Sequence, residues 1–132
     1  MVRFILGLDS QGHVGVSELL SLEFLDVKSR VAQLKLNHVH KIYNDRCPNY
    51  MKLNFTRVED VHRYSTRFAA CNFHVPRVQG VGTKTFFYSG IKEWNSLPVS
   101  IRNVNNYQSF KFKVKQHLKE TLKLDEQNVY LY

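Results

Sequence analysis

Apolar residues recur every three or four positions in three stretches of the chain, which is the spacing of one face of an α-helix. The helices predicted from this spacing cover residues 26–44, 85–96 and the chain from 106 onwards. Each begins at a residue whose side-chain oxygen can cap a helix: Asp26, Thr85, and Asn106 or Asn105. The predicted apolar stripe of the first helix consists of Val27, Val31, Leu34, His38 and Ile42. The stripe of the last helix is the clearest and consists of Tyr107, Phe110, Val114, Leu118 and Leu122.

Shorter elements are predicted around these helices. Ser17 can cap a helical run over residues 18–22, and Pro48 opens the first turn of another short helix. Residues 4–6 resemble the last turn of an amphipathic helix with Gly7 as its C-cap, so we expect the chain to begin inside an element. Gly90 interrupts the second long helix, where we expect it to permit close approach of another backbone.

The centre of the chain lacks a regular period. Between residues 52 and 82 the helical spacing fails, and only residues 73–75 suggest a brief strand. The predicted fold class is therefore mainly α: a small helical domain with a long irregular central loop and at most one short strand or hairpin. At 132 residues, we expect a single domain over residues 1–132.

Positive charge is concentrated in the second half of the chain. The formal net charge is +8, and residues 61–124 hold eleven Lys and Arg against two Asp and Glu. Such a balance favours a polyanionic partner, and with no lipid signal or membrane span in the sequence we expect RNA or DNA, bound without sequence preference. The alternative is a solvated basic surface that binds no polyanion.

The two cysteines, Cys47 and Cys71, and the lack of a signal peptide predict a reducing compartment, the nucleus or cytoplasm. Cys71 and His74 have the spacing of a zinc knuckle, but Cys47 and His62 supply no matching second half. We therefore expect two free thiols, no metal and no cofactor.

No catalytic arrangement is evident. A two-metal polymerase or nuclease needs several carboxylates at one point, whereas here the acidic pairs are Glu59-Asp60 in a loop and Asp125-Glu126 near the end. The Gly80-Val81-Gly82 segment lacks the further glycine of a phosphate-binding loop. The chain is therefore predicted not to be an enzyme.

The basic residues provide candidates for nucleic-acid contacts. In the central region, arginines accompany the aromatic residues Tyr64, Phe68 and Phe73, a mixture suited to phosphates and base faces. On the last helix, lysines recur every four residues beside the apolar stripe, with Lys113 between them. The candidates are Arg63, Arg67, Arg77, Lys84, Lys111, Lys115, Lys119 and Lys123. The alternatives are that the aromatics pack in the core and that the lysines form a plain solvated face.

A series of short segments follows in a characteristic order along the chain. The segments are Phe4-Ile5-Leu6-Gly7-Leu8, His13-Val14-Gly15, Leu22-Glu23-Phe24-Leu25-Asp26-Val27 with Arg30-Val31, Tyr43-Asn44, Pro48-Asn49-Tyr50-Met51, Arg63-Tyr64-Ser65-Thr66-Arg67, His74-Val75-Pro76-Arg77, Gly82-Thr83-Lys84-Thr85-Phe86-Phe87-Tyr88-Ser89-Gly90, Trp94-Asn95-Ser96-Leu97-Pro98, and Ser109-Phe110-Lys111 with Lys115. Together they resemble the C-terminal tail of reverse transcriptases from non-LTR (LINE-type) retrotransposons. The sequence departs from that pattern at Phe24, where a Trp is expected, and at Arg46-Cys47, which replace a small turn.

The resemblance implies a C-terminal fragment that follows the polymerase palm and thumb. In such elements the catalytic Asp-Asp motif lies upstream of this tail, and no such motif occurs in the chain. The implied function is a non-catalytic module that contacts RNA or DNA through its basic half. The alternative is a structural segment that only packs against the polymerase domains and has no independent activity.

The segment from Trp94 to Pro98 is predicted to have a structural role. A large indole on a helix that Pro98 stops, followed by a reversal into the lysine-rich helix, suits a clasp that holds the last helix on the core. The residues assigned to this motif are Trp94, Asn95, Leu97, Pro98 and Phe110.

Overall fold

The computed structural model describes residues 2–7, 12–61 and 71–129. These residues form eight α-helices and one 3-10 helix, and they contain no strand. The α-helices are α1 (Val2–Ile5), α2 (Val16–Ser21), α3 (Val27–Tyr43), α4 (Asn49–Lys52), α5 (Val58–Val61), α6 (Phe86–Ser96), α7 (Val99–Arg102) and α8 (Tyr107–Val129), and the 3-10 helix is Gly80–Lys84. The predicted mainly α fold is confirmed.

The core lies where α3 packs against α6 and α8. Its largest fully buried side chains come from these three helices: Trp94, Phe110, Leu36, Ile91, His40, Val39 and Val114. The central segment adds Phe55 and Phe73, which pack edge to face with ring centroids 5.3 Å apart.

The three predicted helix caps are confirmed. Asp26 accepts a hydrogen bond at 3.0 Å from the backbone N–H three positions on. Asn106 accepts from the two N–H groups at positions 108 and 109, at 2.9 and 3.1 Å. Thr85 accepts from the N–H of Tyr88 at 3.5 Å. Side-chain oxygens thus satisfy N–H groups that have no partner within each helix.

The prediction that Ser17 caps α2 is wrong. The helix begins at Val16, its N-cap is Gly15, and no side chain caps it. Ser17 therefore lies inside the first turn, where its hydroxyl donates instead to the carboxylate of Glu18 at 3.0 Å.

The predicted stripe of α3 is also wrong, except at Ile42. Val27 is 82% exposed, Val31 and Leu34 are each 45% exposed, and His38 is exposed as well. The buried residues of this helix are Gln33, Leu36, Asn37, Val39, His40 and Ile42. The helix has apolar residues on two sides, and the buried side is the one that carries Leu36 and Val39, which pack in the core with residues of α6 and α8.

Gly90 brings α6 close to α3. A Cβ at this position would lie 3.1 Å from Cγ2 of Val39, which is tighter than ordinary contact. The sequence predicted that another backbone would approach Gly90 closely. The close neighbour is instead a side chain of α3, that of Val39.

The central region is irregular but not featureless. The predicted strand over residues 73–75 reduces to one antiparallel bridge between Phe73 and Arg57. Helix α5 and the 3-10 helix occupy parts of the predicted loop. At the start of the chain, Gly7 has a φ of +64° and its N–H donates to the carbonyl of Phe4 at 3.2 Å, so Gly7 ends α1 as predicted.

Candidate nucleic-acid interface

The structure places the predicted basic residues in different environments. Arg63 and Arg67 lie outside the described residues. Arg77 is exposed on the extended segment before the 3-10 helix, and Lys84 is exposed at the end of that helix. Lys123 is exposed on the last turns of α8. These three cations are available to a partner.

The other three candidate lysines of α8, Lys111, Lys115 and Lys119, are partly covered. The side chain of Lys119 is only 12% exposed, and its Nζ lies 3.8 Å from the Glu23 carboxylate. Lys111 lies with its Nζ 5.5 Å from the centroid of the Tyr107 ring, within cation–π range. The four-residue lysine repeat therefore does not form one continuous solvated stripe, because α2 and the residues after it cover part of α8.

Lys115 lines a cavity between α8 and the segment that joins α2 to α3. The cavity has a volume of about 400 Å³ and also contains Arg30 and the carboxylate of Glu23 among its lining residues. Because that carboxylate offsets the two cations, this cavity is a weaker anion site than the charge of the chain suggests.

A basic and aromatic groove lies between the extended segment 75–79 and α6. The groove has a volume of about 530 Å³, and Arg77 and Tyr88 are among its lining residues. The Nζ of Lys92 lies 5.4 Å from the centroid of the Tyr88 ring. The exposed guanidinium of Arg77 and the Tyr88 ring thus line one groove, and the exposed ammonium of Lys92 lies next to that ring without lining the groove. We call this site the Arg77 groove.

Of Arg77, Tyr88 and Lys92, only Arg77 is predicted from the sequence to contact nucleic acid. Tyr88 and Lys92 lie one helical turn apart on α6, which is a spacing that places them on the same face. This spacing in the sequence was sufficient to predict that the two side chains are neighbours. The position of Tyr88 in one groove with Arg77 could not be predicted from the sequence, because it depends on how the segment 75–79 folds back on α6.

Two further basic side chains face inward. Arg57 donates to the backbone carbonyl of Tyr43 at 2.7 Å, and its guanidinium lies 4.5 Å from the centroid of the Tyr43 ring. Arg102 is 6% exposed and donates to the side chain of Asn72 and to the carbonyl of Cys71. Both arginines serve the fold and do not contribute an open cationic surface.

The Trp94 motif is built into the core. Trp94 is fully buried, its indole N–H donates to the Cys71 carbonyl at 2.9 Å, and its ring centroid lies 5.8 Å from that of Phe110 on α8. Asn95 uses its side-chain amide to bond both backbone groups of Phe73, at 3.0 and 2.8 Å.

The rest of the motif continues into the next helix. Leu97 is 4% exposed, and Pro98 is the N-cap of α7. The segment therefore joins α6, α8 and the central segment.

Cys71 and His74 are not brought into a metal site. The thiol of Cys71 donates to the side-chain oxygen of Asn103 at 2.9 Å, and His74 is exposed. Across residues 2–7, 12–61 and 71–129, no three His, Cys, Asp or Glu side chains are grouped so that they could hold a metal ion. Cys47 and Cys71 are both free thiols.

The phenol of Tyr43, near Cys71, is held in its neutral form. Burial raises the pKa of Tyr43 to about 12, and a hydrogen bond with Cys71 adds to the shift. The Tyr43 phenol is therefore protonated at neutral pH. It acts as a hydrogen-bonding group and carries no charge.

The acidic pair of the central region makes a local contact. A carboxylate oxygen of Glu59 lies 3.4 Å from the guanidinium of Arg57. Glu59 and Asp60 are both exposed in the single turn of α5.

The fold and surface together define a small helical protein with a buried aromatic core and a basic surface. None of its described helices is both long and apolar enough to cross a membrane. No protein-family model, curated protein or solved structure matches the chain.

Proposed function

We propose that the chain is a non-catalytic module from the C-terminal part of a retrotransposon reverse transcriptase, and that it binds RNA or DNA without sequence preference. The observation that carries the proposal is the Arg77 groove, where Arg77 and Tyr88 line one surface and Lys92 lies next to the Tyr88 ring. Cations bind the phosphate backbone, and an aromatic face accepts a stacked base regardless of its identity. The origin of the module is proposed from the sequence resemblance, above all from the segment Trp94-Asn95-Ser96-Leu97-Pro98.

The charge of the described surface supports this proposal. Between residues 71 and 124 the acidic residues are Glu93 and Glu120. Glu93 is held by Lys35 at 3.4 Å, so little negative charge opposes the exposed cations of this half. The free thiols of Cys47 and Cys71 support a reducing location, the nucleus or cytoplasm.

The binding test is a titration of the full chain with structured RNA and with duplex DNA. Fluorescence anisotropy measures binding at two salt concentrations. Affinity should fall steeply as salt rises, because each neutralised phosphate releases counterions. The double variant Arg77→Gln/Lys92→Gln should bind more weakly and with a shallower salt dependence. The matched control is Lys52→Gln/Lys41→Gln, which removes the same charge from the first half of the chain. Absence of binding at low salt contradicts the proposal.

The lack of catalysis is tested separately. We expect no product when the full chain is given a primed RNA template, deoxynucleotides and Mg²⁺. Extension of the primer by the purified chain contradicts the non-catalytic proposal.

A second candidate function is a surface that packs against the polymerase domains. One observation favours it: Val27, Val31 and Leu34 share one face of α3 and remain exposed, next to Phe24, which is 45% exposed. In this case the chain should bind an apolar dye, and Val31→Gln/Leu34→Gln should reduce dye binding without changing nucleic-acid affinity. If the apolar face is the whole function, the charge variants above should have no effect.

A further inference from the structure

An aromatic side chain of α8 lies outside the apolar stripe and points to solvent. Phe112 is 64% exposed, whereas its neighbours on the stripe, Phe110 and Val114, are fully buried. Lys111 and Lys113 flank it in sequence, and Lys113 is exposed. The core does not require an aromatic ring at this position.

Phe112 forms part of a groove between α7 and α8. The groove has a volume of about 390 Å³. Its α8 wall contains Phe112, Lys113, Gln116 and His117, and Ser100 faces them from α7. Glu120 also lines it. We call this site the Phe112 groove.

The Phe112 groove combines aromatic, charged and hydrogen-bonding groups. It presents one aromatic face, one ammonium group, the carboxylate of Glu120, and amide, imidazole and hydroxyl groups that can hydrogen-bond to a planar polar ring. Lys113 has no carboxylate within ion-pair distance in the described part of the chain. A wholly apolar ligand would make no use of the ammonium and hydrogen-bonding groups, and a simple anion would make no use of the ring.

We infer that the Phe112 groove binds an unpaired nucleotide, with its base stacked on Phe112 and its phosphate next to Lys113. This inference rests on the proposed nucleic-acid binding and specifies a single-stranded segment as the ligand. In a duplex, the faces of the bases are already stacked on one another, so only an unpaired base can offer a free face. Gln116 and Glu120 can accept hydrogen bonds from N–H groups on the edge of that base.

The experiment compares an unstructured oligothymidylate with a DNA duplex of equal length, using the full chain and fluorescence anisotropy. Phe112→Ala and Phe112→Leu should each weaken binding of the single strand roughly tenfold, because a stacked base contributes about 1–3 kcal/mol, equivalent to about 5- to 150-fold. Binding of the duplex and the salt dependence should stay unchanged, since no charge is removed. Phe112→Trp should bind the single strand at least as well as the original chain.

The Trp variant adds a direct reading of stacking. Trp94 is fully buried, so the emission of the original chain should not change on addition of oligothymidylate. In Phe112→Trp, the new exposed indole should be quenched at the same oligonucleotide concentrations that produce binding. Leu124→Ala is the matched control, because Leu124 is also exposed on α8, at 60%, but does not line the groove.

The outcomes separate this inference from the proposed function. If the original chain shows no salt-dependent binding to either nucleic acid, both the proposed function and this inference are overturned. If Phe112→Ala leaves binding unchanged, or weakens the binding of single strand and duplex equally, only the inference about the Phe112 groove is overturned. If Phe112→Leu retains full binding, the inference is also overturned, because an apolar contact without stacking is then sufficient. A peptide could make such a contact. If Phe112→Ala does not fold, the Leu and Trp variants still decide the question.

Discussion

The imidazole Nε2 of His40 lies 2.6 Å from the backbone carbonyl oxygen of Val104, which is 64 residues further along the chain. Because a carbonyl can only accept, Nε2 carries the proton and donates it. The ring is fully buried and stacks on Phe110, with centroids 4.0 Å apart. Its other nitrogen, Nδ1, is buried and has no hydrogen-bond partner among the described residues. His40 thus links α3 to the turn before α8 in its neutral form.

This arrangement makes stability dependent on pH. Burial lowers the pKa of His40 from its ordinary 6.5, and the nearby Arg46 lowers it further, while the bond to Val104 acts in the opposite direction. The unfolded chain therefore binds a proton at a higher pH than the folded chain does. The stability from neutral His40 is fully present above about pH 6.5 and is lost as the pH falls through the folded pKa.

We expect the urea midpoint of unfolding to fall between pH 7.5 and pH 5. In His40→Gln, the same decrease should be smaller, because the substituted side chain does not titrate. His74→Gln is the control, since His74 is exposed, and it should keep the decrease of the original chain. An identical pH profile for His40→Gln and the original chain contradicts the assignment to His40.

Replacing Trp94 with Ala should remove about 3–5 kcal/mol from the free energy of unfolding. The indole is fully buried, touches the ring of Phe110 and donates a hydrogen bond to Cys71. Chemical denaturation followed by circular dichroism measures the loss. Tyr50→Ala, at a ring that is 71% exposed, should change stability by only about 0.5 kcal/mol or less. Unchanged unfolding of Trp94→Ala would mean that the clasp does not exist.

Gly90→Ala should show the contact with Val39 directly. In an open helix, this change stabilises by about 1 kcal/mol because Ala is the better helix former. Here the new Cβ would lie 3.1 Å from Val39, so the gain should be cancelled or reversed. In a Val39→Ala background the gain should reappear. The four proteins of this double-mutant cycle give the coupling free energy, and a value near zero contradicts the close packing of α3 on α6.

Two lysines of α8 allow a comparison at constant net charge. Lys123→Gln should weaken nucleic-acid binding and lower the salt slope by about one, because Lys123 is exposed. Lys119→Gln should change neither, because its side chain is 12% exposed and lies near Glu23. Salt titrations of both variants provide the measurement. Equal effects of the two substitutions contradict the view that the α2 side of α8 is covered.

The sequence predicted those features that depend on neighbouring residues. Asp26, Thr85 and Asn106 cap their helices because each oxygen bonds an N–H only a few positions away. Gly7 ends α1 for the same kind of local reason, since its positive φ carries little penalty without a Cβ. The helical fold class follows from these local signals and from the apolar period of α8.

Features that depend on contacts between residues far apart in the sequence could not be predicted from it. The apolar residues of α3 fall on two sides of the helix, and only contact with α6 and α8 decides that Leu36 and Val39 are buried while Val27 is not. The position of Glu23, two residues after α2, beside Lys119 likewise depends on tertiary packing. Phe112 was missed because it lies outside the apolar stripe of α8, although an aromatic between two lysines was visible in the sequence.

The distance along the chain between His40 and Val104 also has a consequence for the order of folding. Helices α6, α7 and α8 follow one another closely, so their contacts close short loops, whereas the docking of α3 must close a long one. We therefore expect the C-terminal helices to associate first and α3 to join them after the rate-limiting barrier. In stopped-flow experiments, His40→Ala should then accelerate unfolding and leave the refolding rate nearly unchanged.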